Sequence, residues 1–145
     1  MARRSTSETA AIIQRVPLFA HLSKSELRAL AKVATQEVYE PDSVILRQMD
    51  DAQHLVAVVK GTAKVTRDGR RLATVGPGDV IGEMSLIDGL RRSAGVVALT
   101  EVEGVVLYRT AFMTLLGENS GLAMKLLIAQ TARLREADKK LSALG

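Results

Sequence analysis

Apolar positions recur at helical spacing near both ends of the chain, while short apolar runs broken by turn residues fill the middle. Residues 5–15 read as a short lead-in helix, with Ser7 or Thr6 as cap ahead of Ala10, Ile12 and Ile13. Pro17 ends it by biasing Val16 away from helical backbone. Ser23 then caps a second helix from Lys24 to about Ala34, and Glu26 at its third position completes a capping box. Leu27, Leu30, Ala31 and Ala34 share one face of that helix and are expected to meet a core.

From Thr35 to Leu107 the period changes. Runs rich in Val, Ile, Leu and Thr alternate with Gly, Pro and Asp, which predicts strands near 36–40, 43–47, 54–59, 62–67, 70–75, 80–81, 94–99 and 102–108. Asp68-Gly69 suits both central positions of a type I′ hairpin, and Gly61 separates two strands. Eight short strands at this spacing predict a mainly β fold, an antiparallel β-roll or jelly roll over about 35–108. After Leu107 the helical period returns. Thr110 is expected to cap a short helix to about Leu116, Gly117–Gly121 to interrupt it, and 122–141 to form the longest helix, so C-terminal helices occupy 110–142. With no repeat, low-complexity tract or linker, residues 1–145 are expected to form a single domain.

Composition narrows the chemistry. Apolar residues make up 47% of the 145 but aromatics only 3%, so the core must be aliphatic. There is no cysteine, which excludes disulfides and thiolate metal sites. His21 and His54 stand far apart without ligand spacing and read as surface or turn residues, so no metal is expected. Ser23, Ser25, Ser43 and Ser85 lack a nucleophile motif, and no paired carboxylates announce acid–base catalysis; an enzyme is not expected. The N-terminus has basic residues without a following apolar region, and no run is long enough to span a bilayer, so a soluble cytoplasmic protein with no membrane partner is expected.

The net charge of +4 gathers at Arg3–Arg4, around the 64–71 hairpin, at Arg91–Arg92 and over 133–140. These clusters lack an aromatic stacking platform, so solvated faces plus one anion site fit better than a nucleic-acid partner. The segment Gly82–Ala94 is the candidate for that site. Residues 84–87 can form a one-turn helix whose first amides face an anion, and Gly82 lets the backbone come close. Glu83 can accept a hydrogen bond from a sugar hydroxyl. Arg92, ten residues after Gly82, can return to the helix start after a turn at Asp88-Gly89.

Read with its flanks Gly76-Pro77-Gly78-Asp79 and Val96–Leu99, this segment resembles the phosphate-binding cassette of cyclic nucleotide-binding domains, the sensor domain of catabolite-activator-type proteins. Gly82, Glu83, Leu86, Arg92, Ser93, Ala94 and Val96 fall on the motif without a gap. Gln48-Met49-Asp50-Asp51-Ala52 and Gly61 resemble further landmarks, so the likeness covers about Val16 to Arg109. It implies a β-roll with N-terminal helices, a short cassette helix and a long C-terminal helix. It also implies that Glu83 binds the ribose, that Arg92 and the amides of Met84, Ser85 and Ser93 hold the phosphate, and that Gly82 and Ala94 belong to the same ligand-binding set. The ligand implied is cAMP or cGMP, with no cofactor. The base is expected against Val65, Leu72, Ala73 and Ile81, each of which also suits the core of any roll. A lid from the last helix is expected to come from Arg135, Asp138 or Lys139.

Three positions depart from the family pattern. Arg91 stands where proline is usual, Gly95 replaces a Ser/Thr, and Met49 stands where glycine is common. The first two are expected to lower affinity, and Gly95 favours cAMP over cGMP. In this family's transcription factors a helix-turn-helix follows the long helix. None is expected in this sequence, which ends at Leu141–Gly145, and neither is DNA binding through one. The last helix carries Leu127, Leu134 and Leu141 seven apart, with Gln130 weakening the seam. It either packs on its own roll or pairs two copies into a homodimer. Two readings follow: a sensor that couples ligand binding to movement of that helix and signals to an effector protein, or a degenerate ligand-free interaction module of the same fold.

Overall fold

The computed structural model describes residues 3–50, 54–90 and 94–144. Helix α1 (Thr6–Gln14) is capped by Ser5, not by Thr6 or Ser7. Ser5 Oγ accepts from the Glu8 amide at 3.1 Å, and the Glu8 carboxylate accepts from the Ser5 amide at 3.4 Å. Glu8 stands three residues after Ser5 alone, so only Ser5 can make this reciprocal box. Val16 is extended ahead of a 3₁₀ turn over Pro17–Phe19, and the same box at Ser23 and Glu26 starts α2 (Lys24–Val33) as expected.

Eight strands follow: β1 (Thr35–Tyr39), β2 (Val44–Leu46), β3 (His54–Lys60), β4 (Ala63–Arg67), β5 (Arg70–Val75), β6 (Val80–Ile81), β7 (Gly95–Ala98) and β8 (Val102–Tyr108). They form two four-stranded antiparallel sheets, in the orders β1-β8-β3-β6 and β2-β7-β4-β5. The fold is a β-roll. Asp68 and Gly69 both take positive φ, 51° and 79°, as a type I′ turn requires. At Gly61, with φ +88°, an added Cβ would sit 2.0 Å from the Glu101 carbonyl oxygen, so this crossing tolerates no side chain. His54 is not a surface or turn residue: it begins β3 half-buried, its ring centroid 5.4 Å from that of Tyr108.

The apolar residues divide into two cores. Val56, Val58, Ala63, Ile81, Val96, Ala98, Val102 and Val106 fill the space within the roll. Leu55, Ala57, Val105 and Leu107 point the other way, against Ile13, Leu18, Phe19, Leu30, Phe112 and Leu122 of the helices. Strand β3 is therefore covered on both faces, which is why its apolar run is continuous rather than alternating. Phe19 and Phe112, 6.0 Å apart between centroids, lock the N-terminal helices to α4 (Arg109–Glu118).

The C-terminal helices start differently from expectation. Tyr108 stands at the cap position of α4 without a side-chain capping bond, so Thr110 lies inside the helix. The expected break shrinks to Asn119, whose Oδ1 accepts from the Leu122 amide at 3.0 Å and opens α5 (Ser120–Leu144) at once. Gly117 and Gly121 both sit within helices. Leu122 and Leu126 of α5 are buried against the helical core, and Lys125 Nζ donates to Glu26 of α2 at 2.7 Å. Among the described residues no helix is long and apolar enough to cross a membrane.

Candidate functional site

Strand β6 lies at the edge of one sheet and β7 inside the other, so residues 82–94 form a crossover between the two layers. The approach is shaped by Gly76–Asp79, where the Gly76 amide donates to the Asp79 carboxylate at 2.8 Å and Gly78 takes φ +91°. Gly82, at φ +82°, turns the chain out of β6 in a conformation that side-chain-bearing residues rarely adopt. Helix α3 (Glu83–Asp88) starts immediately, one residue earlier and one later than the 84–87 turn expected from sequence. The amides of Glu83, Met84 and Ser85 come too early in the helix to have a partner one turn back, and the Leu86 amide donates back to the Gly82 carbonyl at 3.3 Å.

Leu86 is fully buried in the core between the helices and β3, so α3 is pinned by its apolar side to β3 and α4. Glu83 stays at the roll surface, and Arg133 of α5 donates from Nη1 to its Oε1. The Glu83 side chain retains only 15% of its accessible surface and Arg133 48%. Arg133 also donates to Gln130 Oε1 at 3.2 Å. The sequence reading missed Arg133 as a site residue. Its signal was the helical spacing of Leu122, Leu126, Ala129 or Gln130, and Arg133 along one face. The three residues expected as a lid lie further along α5. Arg135 lines a shallow groove with Leu127, Ile128, Thr131 and Ala132, while Asp138 and Lys139 are exposed.

After α3, Asp88 Oδ1 accepts from the Leu90 amide at 2.9 Å and Gly89 takes φ +69°, the turn foreseen at Asp88-Gly89. Arg91, Arg92 and Ser93 lie outside the described residues, as do the side chains of Met84 and Ser85. Ala94 is half-buried where the chain enters β7. Gly95 then pairs with Thr66 of β4, and a Cβ there would meet the Leu46 carbonyl oxygen at 3.3 Å, the Gln48 amide at 3.4 Å and Thr66 Oγ1 at 3.6 Å. The missing hydroxyl at Gly95 thus has a packing reason, since β2 passes too close for a side chain without adjustment.

The proposed base wall separates into two parts. Val65 of β4 and Ala73 of β5 are direct cross-strand partners, with Val65 half-buried on the roll interior. Leu72 falls opposite a register shift between Val65 and Thr66 and is 52% exposed. Ile81 is buried, packing within the inter-sheet core opposite Val56. Gln48 ties the β2–β3 loop to the β4–β5 turn, donating to Asp68 Oδ1 and accepting from its amide, both at 3.0 Å.

The cassette position and the strand order are what the family requires, and comparison decides the matter: the family model for the cyclic nucleotide-binding domain matches residues 36–119. The chain belongs to the cyclic nucleotide-binding domain family. It is 34% identical over 134 residues to the cyclic AMP receptor protein of Thermus thermophilus, covering 89% of this chain and 62% of that one. It is 32% identical over 107 residues to a cAMP-dependent protein kinase regulatory subunit of Yarrowia lipolytica, covering 72% of this chain and 28% of that one. The solved N-terminal domain of a transcriptional regulator from Streptomyces coelicolor A3(2) superposes with a TM-score of 0.80 at 31% identity, covering 90% of this chain and 94% of that domain. This cyclic nucleotide-binding domain therefore spans less than two thirds of either curated relative, both of which are named as regulators or receptors.

Proposed function

We propose that residues 1–145 act as one cytoplasmic sensor domain that binds a cyclic nucleotide, cAMP in preference to cGMP, in the crossover between the two sheets. The observation that carries this reading is Glu83: a largely covered carboxylate at the first turn of a short helix that opens from a left-handed glycine. Its carboxylate accepts the ribose 2′-hydroxyl. The amides of Met84, Ser85 and Ser93 meet the phosphodiester, and Arg92 neutralises a charge that would be costly to bury without a partner. The absence of a hydroxyl at Gly95 supports the preference for cAMP.

Helix α5 reads the site through Arg133. A carboxylate has two oxygens, so Glu83 can keep Arg133 on one while accepting a hydroxyl on the other. Ligand then favours one arrangement of α5, provided it binds that arrangement more tightly. The far side of α5 exposes Met124, Leu127, Thr131 and Leu134 at alternating three- and four-residue spacing, with Leu141 a heptad further on, and this stripe pairs two copies of the chain. Sedimentation of the wild type and of Leu127→Glu/Leu134→Glu tests the pairing: a dimer that becomes monomeric supports it, and a monomeric wild type rejects it.

Equilibrium binding of labelled cAMP and cGMP to the wild type, Arg92→Ala and Glu83→Gln tests the site. Micromolar or tighter cAMP binding, lost in Arg92→Ala, is expected. Ligand at a hundredfold its dissociation constant should add about 2.7 kcal/mol of stability. No saturable binding up to millimolar nucleotide would leave the chain as a ligand-free interaction module of this fold.

A further inference from the structure

Arg109, the first residue of α4, reaches back 22 residues to the cassette. Its Nη2 donates to the Ile87 carbonyl at 3.2 Å, in the last turn of α3. The carbonyls of a final helical turn lack partners within the helix, and a cation there also suits the helix dipole. The next turn is moulded around the same guanidinium. A Cβ on Gly89 would lie 3.0 Å from Arg109 Cζ and 3.1 Å from its Nε, so the glycine leaves the space that the arginine fills. Arg109 Nε is buried with no hydrogen-bond partner among the described residues, an arrangement that costs free energy and is held by the surrounding packing.

We propose that Arg109 is a positioning residue for the phosphate-binding cassette: it clamps the end of α3 and the turn at Asp88–Leu90, which ends two residues before Arg92 in the chain. The clamp stands on rigid ground, because Phe112, one turn further along α4, is buried against Phe19. Leu86 holds the apolar side of α3 and Arg109 the polar end. Helix α4 and the cassette are thereby joined, so a displacement of one moves the other. This inference rests on the reading of residues 82–94 as the nucleotide site, and its test separates the two.

Two variants serve, Arg109→Met, which keeps the apolar stem, and Arg109→Lys, which keeps a cationic donor. Amide hydrogen exchange of the ligand-free protein comes first. Arg109→Met should speed exchange over 86–90 by about tenfold while β3 and β8 stay protected, and Arg109→Lys should recover most of the protection. Binding comes second: Arg109→Met should weaken cAMP about tenfold, with Arg109→Lys close to wild type. Unchanged exchange at 86–90, or a loss spread equally through β3 and β8, would overturn the clamp. Unchanged cAMP affinity beside faster exchange would overturn the positioning role. If the wild type binds no cyclic nucleotide, the positioning role falls with the reading of the site, and exchange alone then decides whether the clamp exists.

Discussion

Arg133 on α5 and Glu83 at the start of the cassette helix, 50 residues apart in sequence, share a hydrogen-bonded ion pair. The pair lies where α5 leaves the roll: the residues from Thr131 to Leu141 are otherwise exposed. Arg133→Ala should cost under about 1 kcal/mol of global stability, since the arginine is half-exposed and solvent screens it. Its local effect should be larger. Exchange over the last turns of α5 should accelerate, and cAMP affinity should fall because Glu83 loses the group that orients it. Exchange mapped by mass spectrometry, together with a binding isotherm, checks both.

Gly61 should be among the least replaceable residues. Alanine there would put a methyl group 2.0 Å from a backbone oxygen and force a side chain into φ +88°. Gly61→Ala should lose at least about 2 kcal/mol, or roughly 4–8 °C in thermal midpoint. Gly69→Ala meets no atom within 4 Å and should lose less, through its φ of +79° alone. Thermal unfolding of the two variants in parallel makes the comparison.

Met49 is held at φ +65° with its side chain 57% exposed, so it contributes strain without packing. Met49→Gly should remove about 1 kcal/mol of that strain and lose part of it to unfolded-chain entropy, for a net gain of about 0.5 kcal/mol. Met49→Ala keeps the strain and should give no gain. Urea unfolding of both variants distinguishes the two.

The chain has two tyrosines, and neither should ionise at its ordinary pH. Burial, and then its hydrogen bond to Glu37, push Tyr108 up to about 12. Burial, and then the Glu37 charge, raise Tyr39 further. Phenolate absorbance should therefore stay low at pH 10 in the folded protein and appear there on unfolding. Because the fold keeps protons that the unfolded chain releases, these groups leave stability intact below about pH 10 and erode it as pH rises towards 12.

Local chemistry was readable where near neighbours decide it. Ser23–Glu26, Asp68-Gly69 and the strand runs are settled within a few residues, so the eight strands and the box on α2 stand within a residue or two of expectation. The cap of α1 shifted because polar residues adjoin each other there and the capping-box geometry picks Ser5, whereas α4 starts right after β8 with no side-chain cap to mark it. The cassette was legible as a string because its glycines and charges stand in order along the chain.

By itself the sequence determined a mainly β roll flanked by helices, an aliphatic core and the place of Glu83 at the head of a short helix. Tertiary structure alone decided which distant residue reaches that carboxylate, that Ile81 belongs to the inter-sheet core, and that Arg109 holds the end of α3. The reason is physical. Periodicity fixes which face of an element is apolar, but the packing of α5 and α4 against the roll sets which polar side chain on a face comes within hydrogen-bonding reach.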